Sequence, residues 1–207
     1  MGKWYVVRHG ITEWNANGRN QGQSDTPLSA HGIRQAMSLG RRLLDTPLHA
    51  AYVSDFSRAR ETAQGILAER DTPVIHMREL REASYGAWEG LTFRQIEEES
   101  PKEFHQLMNR TLDFAPPDGE SAGQVMERVR EARDRIAAAH SLDEDILVVG
   151  HSGSVSPLVV ILLGLPVETV FRFRALPCSL SIVTVHENGA TLDLWNDTSH
   201  VEMWHGS

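Results

Sequence analysis

The sequence has one cysteine, Cys178. No intramolecular disulfide can form, so stability must come from burial, and the reducing cytoplasm is the expected location. Long apolar runs are equally scarce. The longest stretch free of Asp, Glu, Lys, Arg and His, Ser152 to Val167, is interrupted by Pro157 and Gly164. It falls short of the roughly 20 apolar residues that cross a bilayer, so a buried helix is predicted there and no membrane partner. The first residues, MGKWYVVRHG, go directly into a strand-like run without an apolar signal core, and no export signal is read. Positive charge is in deficit, since 20 Lys and Arg face 28 Asp and Glu for a net charge of -8. That balance excludes the basic face that nucleic-acid binding needs, but not a small anion held where arginines converge.

Several catalytic signatures are also missing. A cysteine phosphatase needs arginine six positions after its cysteine, and six after Cys178 stands Thr184. There is no GxxxxGK[ST] loop for a nucleotide phosphate and no HExxH pair for a metal. The chain has ten histidines and many carboxylates, but His9 and His151 lie beside glycine and serine, not beside further ligands. No metal is expected. His49, His76, His105, His140 and His186 are expected to be structural or exposed, and His31 exposed.

What is present begins with Trp4 to Gly22. An apolar run, Trp4 to Val7, stops at Arg8-His9-Gly10 and passes into a polar loop over Asn15 to Asp25. Ser29 is placed to cap a helix whose apolar positions are Ile33, Ala36, Met37, Leu39, Leu43 and Leu44. Ala50 to Val53 reads as a buried strand, Ser54-Asp55 as the cap of a helix running to about Glu69, and Pro73 to Met77 as a third strand. Repeated strand-then-helix units predict an α/β fold: a single-domain three-layer sandwich whose mostly parallel sheet has helices on both faces. The segment 92–120 is charged and helix-prone and is read as a helical insertion near the site, not a second domain. Its Phe93, Phe104, Leu107, Met108 and Phe114 are expected to seal it onto the domain. Ser121 to His140 is a further helix, Asp145 to Gly150 the clearest strand, and Ser181 to His186 with Ala190 to Trp195 an edge hairpin. All 207 residues are assigned to one domain. The apolar residues are accounted for by one core and specify no oligomeric state.

Two strands, Tyr5 to Val7 and Ile146 to Val149, each end in a histidine close to glycine. If both are central and parallel, His9 and His151 meet at one sheet edge, where open α/β sheets bind ligands. The strand Ala51 to Val53 brings Arg58 and Arg60 to the first turn of a helix at that edge. Helix N-termini there would add free N–H groups. Two histidines with arginines suit a phosphoryl group, because guanidinium matches its oxygens and stays charged. Neighbouring cations should keep one imidazole neutral and nucleophilic, and in-line displacement would leave a phosphohistidine for water to hydrolyse. A proton donor for the leaving alkoxide is sought among Glu79, Glu82 and Glu89, and spacing does not choose between them.

These residues resemble the histidine phosphatase superfamily, which includes the cofactor-dependent phosphoglycerate mutases. The likeness runs through Arg8-His9-Gly10 with Thr12, Trp14 and Asn15, then Arg19-x-Gln21-Gly22, then Leu28-Ser29-x-x-Gly32-x-x-Gln35-Ala36. It continues through Ser54-Asp55-x-x-Arg58-Ala59-x-x-Thr62-Ala63 and Leu80-x-Glu82-x-x-x-Gly86-x-Trp88-Glu89-Gly90. Gly119-Glu120-Ser121 and Val149-Gly150-His151-Ser152-Gly153 complete it. The resemblance implies His9 as the phosphate-accepting nucleophile, Arg8, Arg58 and His151 as holders of phosphoryl oxygens, and Glu82 as proton donor. Asn15, Gln21, Gly22 and Ser152 are expected to contact phosphate or substrate, a small phosphorylated metabolite. No metal or organic cofactor is implied.

Ile11 stands where many relatives carry glutamate. Gly90-Leu91 runs into Thr92-Phe93 where phosphoglycerate mutases typically continue with Asn-Lys, and Asn109-Arg110 stands where they carry two adjacent arginines. The chain therefore looks more like the small phosphatases of the superfamily, such as broad-specificity acid-type or α-ribazole phosphatases. A mutase or bisphosphatase acting on phosphoglycerates is the nearest alternative, and a non-catalytic phospho-ligand binding module is a further one.

Overall fold

The computed structural model describes residues 1–68 and 70–201. The chain begins with β1 (Lys3–Arg8), the short α1 (Glu13–Ala16), α2 (Ala30–Arg42), β2 (Leu48–Ser54), α3 (Ser57–Leu67) and β3 (Val74–Met77). After two turns of 3-10 helix come α4 (Phe93–Glu99), α5 (Pro101–Met108) and α6 (Ala122–Ala139). It then runs through β4 (Asp145–Gly150), α7 (Ser152–Leu162), β5 (Leu180–His186) and β6 (Gly189–Asp197). The six strands lie in the order β3-β2-β4-β1-β5-β6. The first four in that order pair in parallel, and the β5-β6 hairpin adds antiparallel to β1.

Strands covered on both faces are near-continuously apolar, and β1 and β4 show why. Trp4, Val6, Ile146 and Val148 point into a core closed by α6 and α7, while Tyr5, Val7, Leu147 and Val149 point into a second core with Leu39, Ala59 and Ile66 from α2 and α3. Each fully buried aliphatic side chain contributes roughly 1.5 to 3 kcal/mol, so the central strands are the most strongly fixed part of the chain. α7 is buried nearly all round, from Ser154 to Leu162. No helix among the described residues is long and apolar enough to cross a membrane.

The termini of the helices are set mainly by local chemistry. The Ser29 hydroxyl accepts from the Gly32 N–H at 3.1 Å, and Thr92-Gln95 and Ser121-Gln124 form capping boxes on α4 and α6. Pro101 starts α5 and divides the 92–110 stretch into two helices.

Four expectations need correction. α2 buries Gly32, Gln35, Ala36 and Leu39, leaving Ile33, Met37 and Leu44 exposed. α3 is capped by neither Ser54 nor Asp55; the Asp25 carboxylate accepts from the Ser57 N–H at 2.7 Å across the loop, and Phe56 precedes the helix. α3 ends at Leu67, and Glu69 lies outside the described residues. His31 is half-buried, not exposed.

Candidate active site

The register of the sheet determines where the two histidines leave it. Arg8 lies opposite Gly150, so His9 and His151, one residue further along each parallel strand, emerge side by side. The backbone N–H of His9 donates to the Gly150 carbonyl at 2.9 Å, and the two rings stand 5.0 Å apart between centroids. Both side chains are buried.

Hydrogen bonding assigns a different tautomer to each ring. His9 Nδ1 lies 2.7 Å from the Gly10 carbonyl oxygen, which can only accept. Nδ1 therefore carries the proton and Nε2 keeps a bare lone pair. Arg58 Nε donates to His151 Nδ1 at 3.1 Å, so the His151 proton sits on Nε2, which donates to Ser54 Oγ at 2.8 Å.

Electrostatics keep both rings neutral. Burial, then the charges of Arg8 and Arg58, push His9 well below the ordinary 6.5, against a smaller opposing effect of the Gly10 carbonyl. Burial, Arg58 and His9 itself push His151 down likewise. Below pH 6.5 the unfolded chain thus binds protons that the folded site refuses. The resulting stability is intact above 6.5 and shrinks as pH falls, by about 1.4 kcal/mol per pH unit for each histidine. Urea unfolding between pH 7 and 5 is expected to show this slope as a falling midpoint at constant m-value. A midpoint flat across that range would contradict neutral burial.

Arg58 is fully buried, and three of its five donors are satisfied: one by His151, one by the Ser24 carbonyl at 2.8 Å and one by the Gly22 carbonyl at 2.8 Å. The guanidinium carbons of Arg58 and Arg81 each lie over the Phe56 ring, at 4.9 and 4.7 Å from its centroid. Arg81 is fixed in turn by a bidentate pair with Asp55 at 2.7 and 2.6 Å. Arg8 donates through Nη1 to the Ala175 carbonyl at 2.7 Å, while its buried Nε has no partner among the described residues. An unpaired buried donor on a charged group is a strong pointer to an anion. Arg60 is exposed and takes no part.

The three candidate carboxylates have different surroundings. Glu79 pairs with Arg135. Glu89 is tied into its loop, accepting from the N–H groups of Gln23 and Tyr85 and from the Ser24 hydroxyl. The charge of Glu82 acts on both Arg8 and Arg58; its Oε1 accepts from the N–H of Ala83 at 2.8 Å and of Gly153 at 2.9 Å, and Oε2 has no protein partner among the described residues. A Cβ at position 153 would lie 2.0 Å from that Oε1, so only glycine lets the carboxylate reach the start of α7. Helix N-termini were expected to supply free N–H groups to an anion. One N–H at each start is taken by a carboxylate, that of Gly153 on α7 by Glu82 and that of Ser57 on α3 by Asp25.

Of the remaining expected residues, Asn15 caps α1 with Thr12, and the Thr12 hydroxyl lies 3.0 Å from Gln21 Oε1. Gly22, at φ +52, would place a Cβ 2.2 Å from Glu89 Oε1, and its carbonyl is the one held by Arg58. Ser152 opens α7 beside a cavity of about 380 Å³ that also touches Glu82. Leu107 and Phe114 line this cavity, whereas Phe93 and Met108 are exposed and do not seal the segment. Ile96 of α4 is fully buried.

Sequence reasoning missed Tyr85, Phe56 and Arg128. Tyr85 borders the cavity, and burial and then the Glu82 charge raise its phenol. Arg128, from α6, donates to the carbonyls of Glu79, Arg81 and Glu82 at 2.8 to 2.9 Å and pairs with Glu120. Burial alone would raise the Glu120 carboxyl, but bonds from Arg128, the Ser84 N–H and Gln23 hold it below the ordinary range. The loop bearing Glu82 is thereby clamped to α6. For Arg128 the available signal was the Gly119-Glu120-Ser121 motif, which needs a cation within reach; for Tyr85 and Phe56 there was none.

The chain is 36% identical over 205 residues to the probable phosphoglycerate mutase GpmB of Citrobacter koseri, covering 96% of this chain and 94% of that one. A putative α-ribazole-5'-P phosphatase from Escherichia coli superposes with a TM-score of 0.89 at 30% identity, over 95% of this chain and 97% of the other. A mycobacterial glucosyl-3-phosphoglycerate phosphatase does so with a TM-score of 0.87 at 30% identity, over 95% and 99%. The profile of the histidine phosphatase superfamily (branch 1) matches residues 4–198, and the chain belongs to that family.

Proposed function

We propose that this protein is a phosphomonoesterase that hydrolyses small phosphorylated metabolites through a phosphohistidine on His9. One observation carries the reading: a buried neutral imidazole with Nε2 free, set among two guanidinium groups on which the Glu82 charge also acts.

In this mechanism Nε2 of His9 attacks phosphorus in line, forming the N–P bond as the P–O bond to the leaving group breaks. Arg8, with its unpaired Nε, and Arg58, with two donors to spare, hold the equatorial oxygens, and His151 lies beside them. Glu82 gives its proton to the departing alkoxide and then removes one from the water that attacks phosphohistidine. Phosphate and free imidazole result. Asn15, Gln21, Gly22 and Ser152 border the substrate in this scheme. The segment 92–120 is taken as an insertion in a single domain of 207 residues. The acid-type character we assign follows from the lowered His9, which stays unprotonated in mildly acidic solution. Unpaired Cys178 suits a reducing cytoplasm.

The names of two structural relatives support a phosphatase. The mutase name of the 36% identical relative favours phosphoglycerate exchange as the second reading. The test is phosphate release from a panel of phosphorylated metabolites with EDTA present, together with pulse labelling by a labelled ester. Release with an acid-labile, base-stable label on His9 is expected. Exchange between phosphoglycerate isomers without net release would establish the mutase instead, and neither release nor label would leave only a binding module.

A further inference from the structure

The cavity of about 380 Å³ beside Glu82 is not the phosphoryl site, since His9, Arg8 and Arg58 are not among its lining residues. Glu82, the proton donor of the proposed mechanism, lines it together with Leu107 of α5, which puts it on the side where the alcohol half of an ester would rest. Its volume is that of a pocket for a small organic molecule. Most of its wall is apolar: Leu107, Phe114, Pro157, Val170, Phe171 and Phe173.

Polar side chains interrupt this wall, Ser84, Tyr85, Thr111, Ser152 and Ser156 among them, and the two features that bear on a ligand's polar atom lie on α7. The Ser156 hydroxyl is buried on a residue only 3% exposed and has no partner among the described residues. Pro157, the next residue, lies inside the helix and has no N–H to bond the carbonyl of Gly153. Gly153, Ser156 and Pro157 all border the cavity. A buried hydroxyl without a partner is costly unless a ligand supplies one.

The charges at the wall narrow the choice. Arg110 is its cation, and one of its nitrogens is held by the Phe171 carbonyl at 3.2 Å. Two carboxylates, Glu82 and Glu120, share the wall. A leaving group with its own carboxylate or second phosphate finds no net positive field here.

We propose that this cavity binds the alcohol half of the substrate, and that this alcohol is an uncharged, ring-sized, largely apolar group with one hydrogen-bonding atom for Ser156. The inference rests on the phosphomonoesterase reading and identifies the substrate class for it. Phe114 and Phe171 supply flat apolar contact, and Ser156 fixes the orientation.

The test compares kcat/KM for naphthylethyl phosphate with that for glycerol phosphate and phosphoglycerate, all alkyl esters, so that leaving-group basicity is similar. The aromatic ester is expected to be favoured by at least about tenfold, and Phe171→Ala to reduce that preference by about fivefold or more. Ser156→Leu, which fills the cavity from α7, should reduce it further, and it provides a second route if Phe171→Ala fails to fold. Equal kcat/KM for the esters, a preference for phosphoglycerate, or a preference that both variants leave intact would overturn the pocket assignment while phosphatase activity stands. No turnover of any ester and no labelled histidine would overturn both readings together.

Discussion

Replacing His9 with alanine is expected to lower phosphate release by a factor on the order of 10^4 to 10^6, as loss of a covalent nucleophile does in enzymes whose catalytic groups act as a unit. No neighbouring group can take over. His151 has both ring nitrogens engaged, by Arg58 Nε and Ser54 Oγ. The Cys178 thiol is buried and pushed up to about 12, so it supplies no thiolate. The Tyr85 phenol is raised as well. What survives in the variant is an anion site, so phosphate should still bind to Arg8 and Arg58 while turnover and the covalent label vanish. The fold should persist, because the imidazole contributes a single bond to Gly10 and the sheet on either side is built from residues untouched by the change. The variant should also lose one histidine's share of the pH dependence of stability. Steady-state release with chelator present, binding of inorganic phosphate and urea unfolding check the three parts. A loss of less than tenfold in turnover would remove His9 from the nucleophile's place.

The sheet edge was legible because its determinants are local. β1 and β4 are apolar runs covered on both faces, and a polar residue cannot continue such a run, so the chain must leave the sheet at Arg8-His9 and at His151. Parallel pairing in register then brings the histidines together without further information. The helix starts at Ser29, Thr92 and Ser121 were readable for the same reason, since a hydroxyl accepts from an N–H three residues on.

Expectations failed where long-range partners decide. Hydrophobic periodicity on α2 selects its large side chains, yet the buried face is set by how closely α3 can approach. A Cβ on Gly40 would meet the Gly65 carbonyl at 2.6 Å, and one on Gly65 would meet Ala36 Cβ at 2.7 Å. The helices cross through small residues, which excludes Ile33 and Met37 from the contact. Ser54 and Asp55 have the right chemistry for a cap, but His151 takes the first and Arg81 the second, leaving the task to Asp25. No local pattern could show this. What sets Glu82 apart from Glu79 and Glu89 likewise lies at the start of α7, about 70 residues further along the chain.

Glu82→Gln separates acid catalysis from architecture. The amide oxygen can keep both bonds that Oε1 accepts, from Ala83 at 2.8 Å and Gly153 at 2.9 Å, and Arg128 still holds the loop through the backbone carbonyls of residues 79, 81 and 82. Geometry is therefore preserved and the transferable proton is lost. For an alkyl phosphate, whose alkoxide is a poor leaving group, kcat/KM should fall by about 10^2 to 10^4. For nitrophenyl phosphate, whose leaving group departs without a proton, phosphorylation of His9 should slow by less than about tenfold. The second half of the cycle also needs Glu82, now as the base that activates water. With nitrophenyl phosphate the variant should therefore release one equivalent of nitrophenol in a burst and accumulate phosphohistidine, which the wild type turns over. Rapid-mixing measurement of nitrophenol alongside acid-quenched label reads both steps. Equal losses for the two esters, with no burst, would mean that Glu82 only braces α7 and that the leaving group takes its proton from elsewhere.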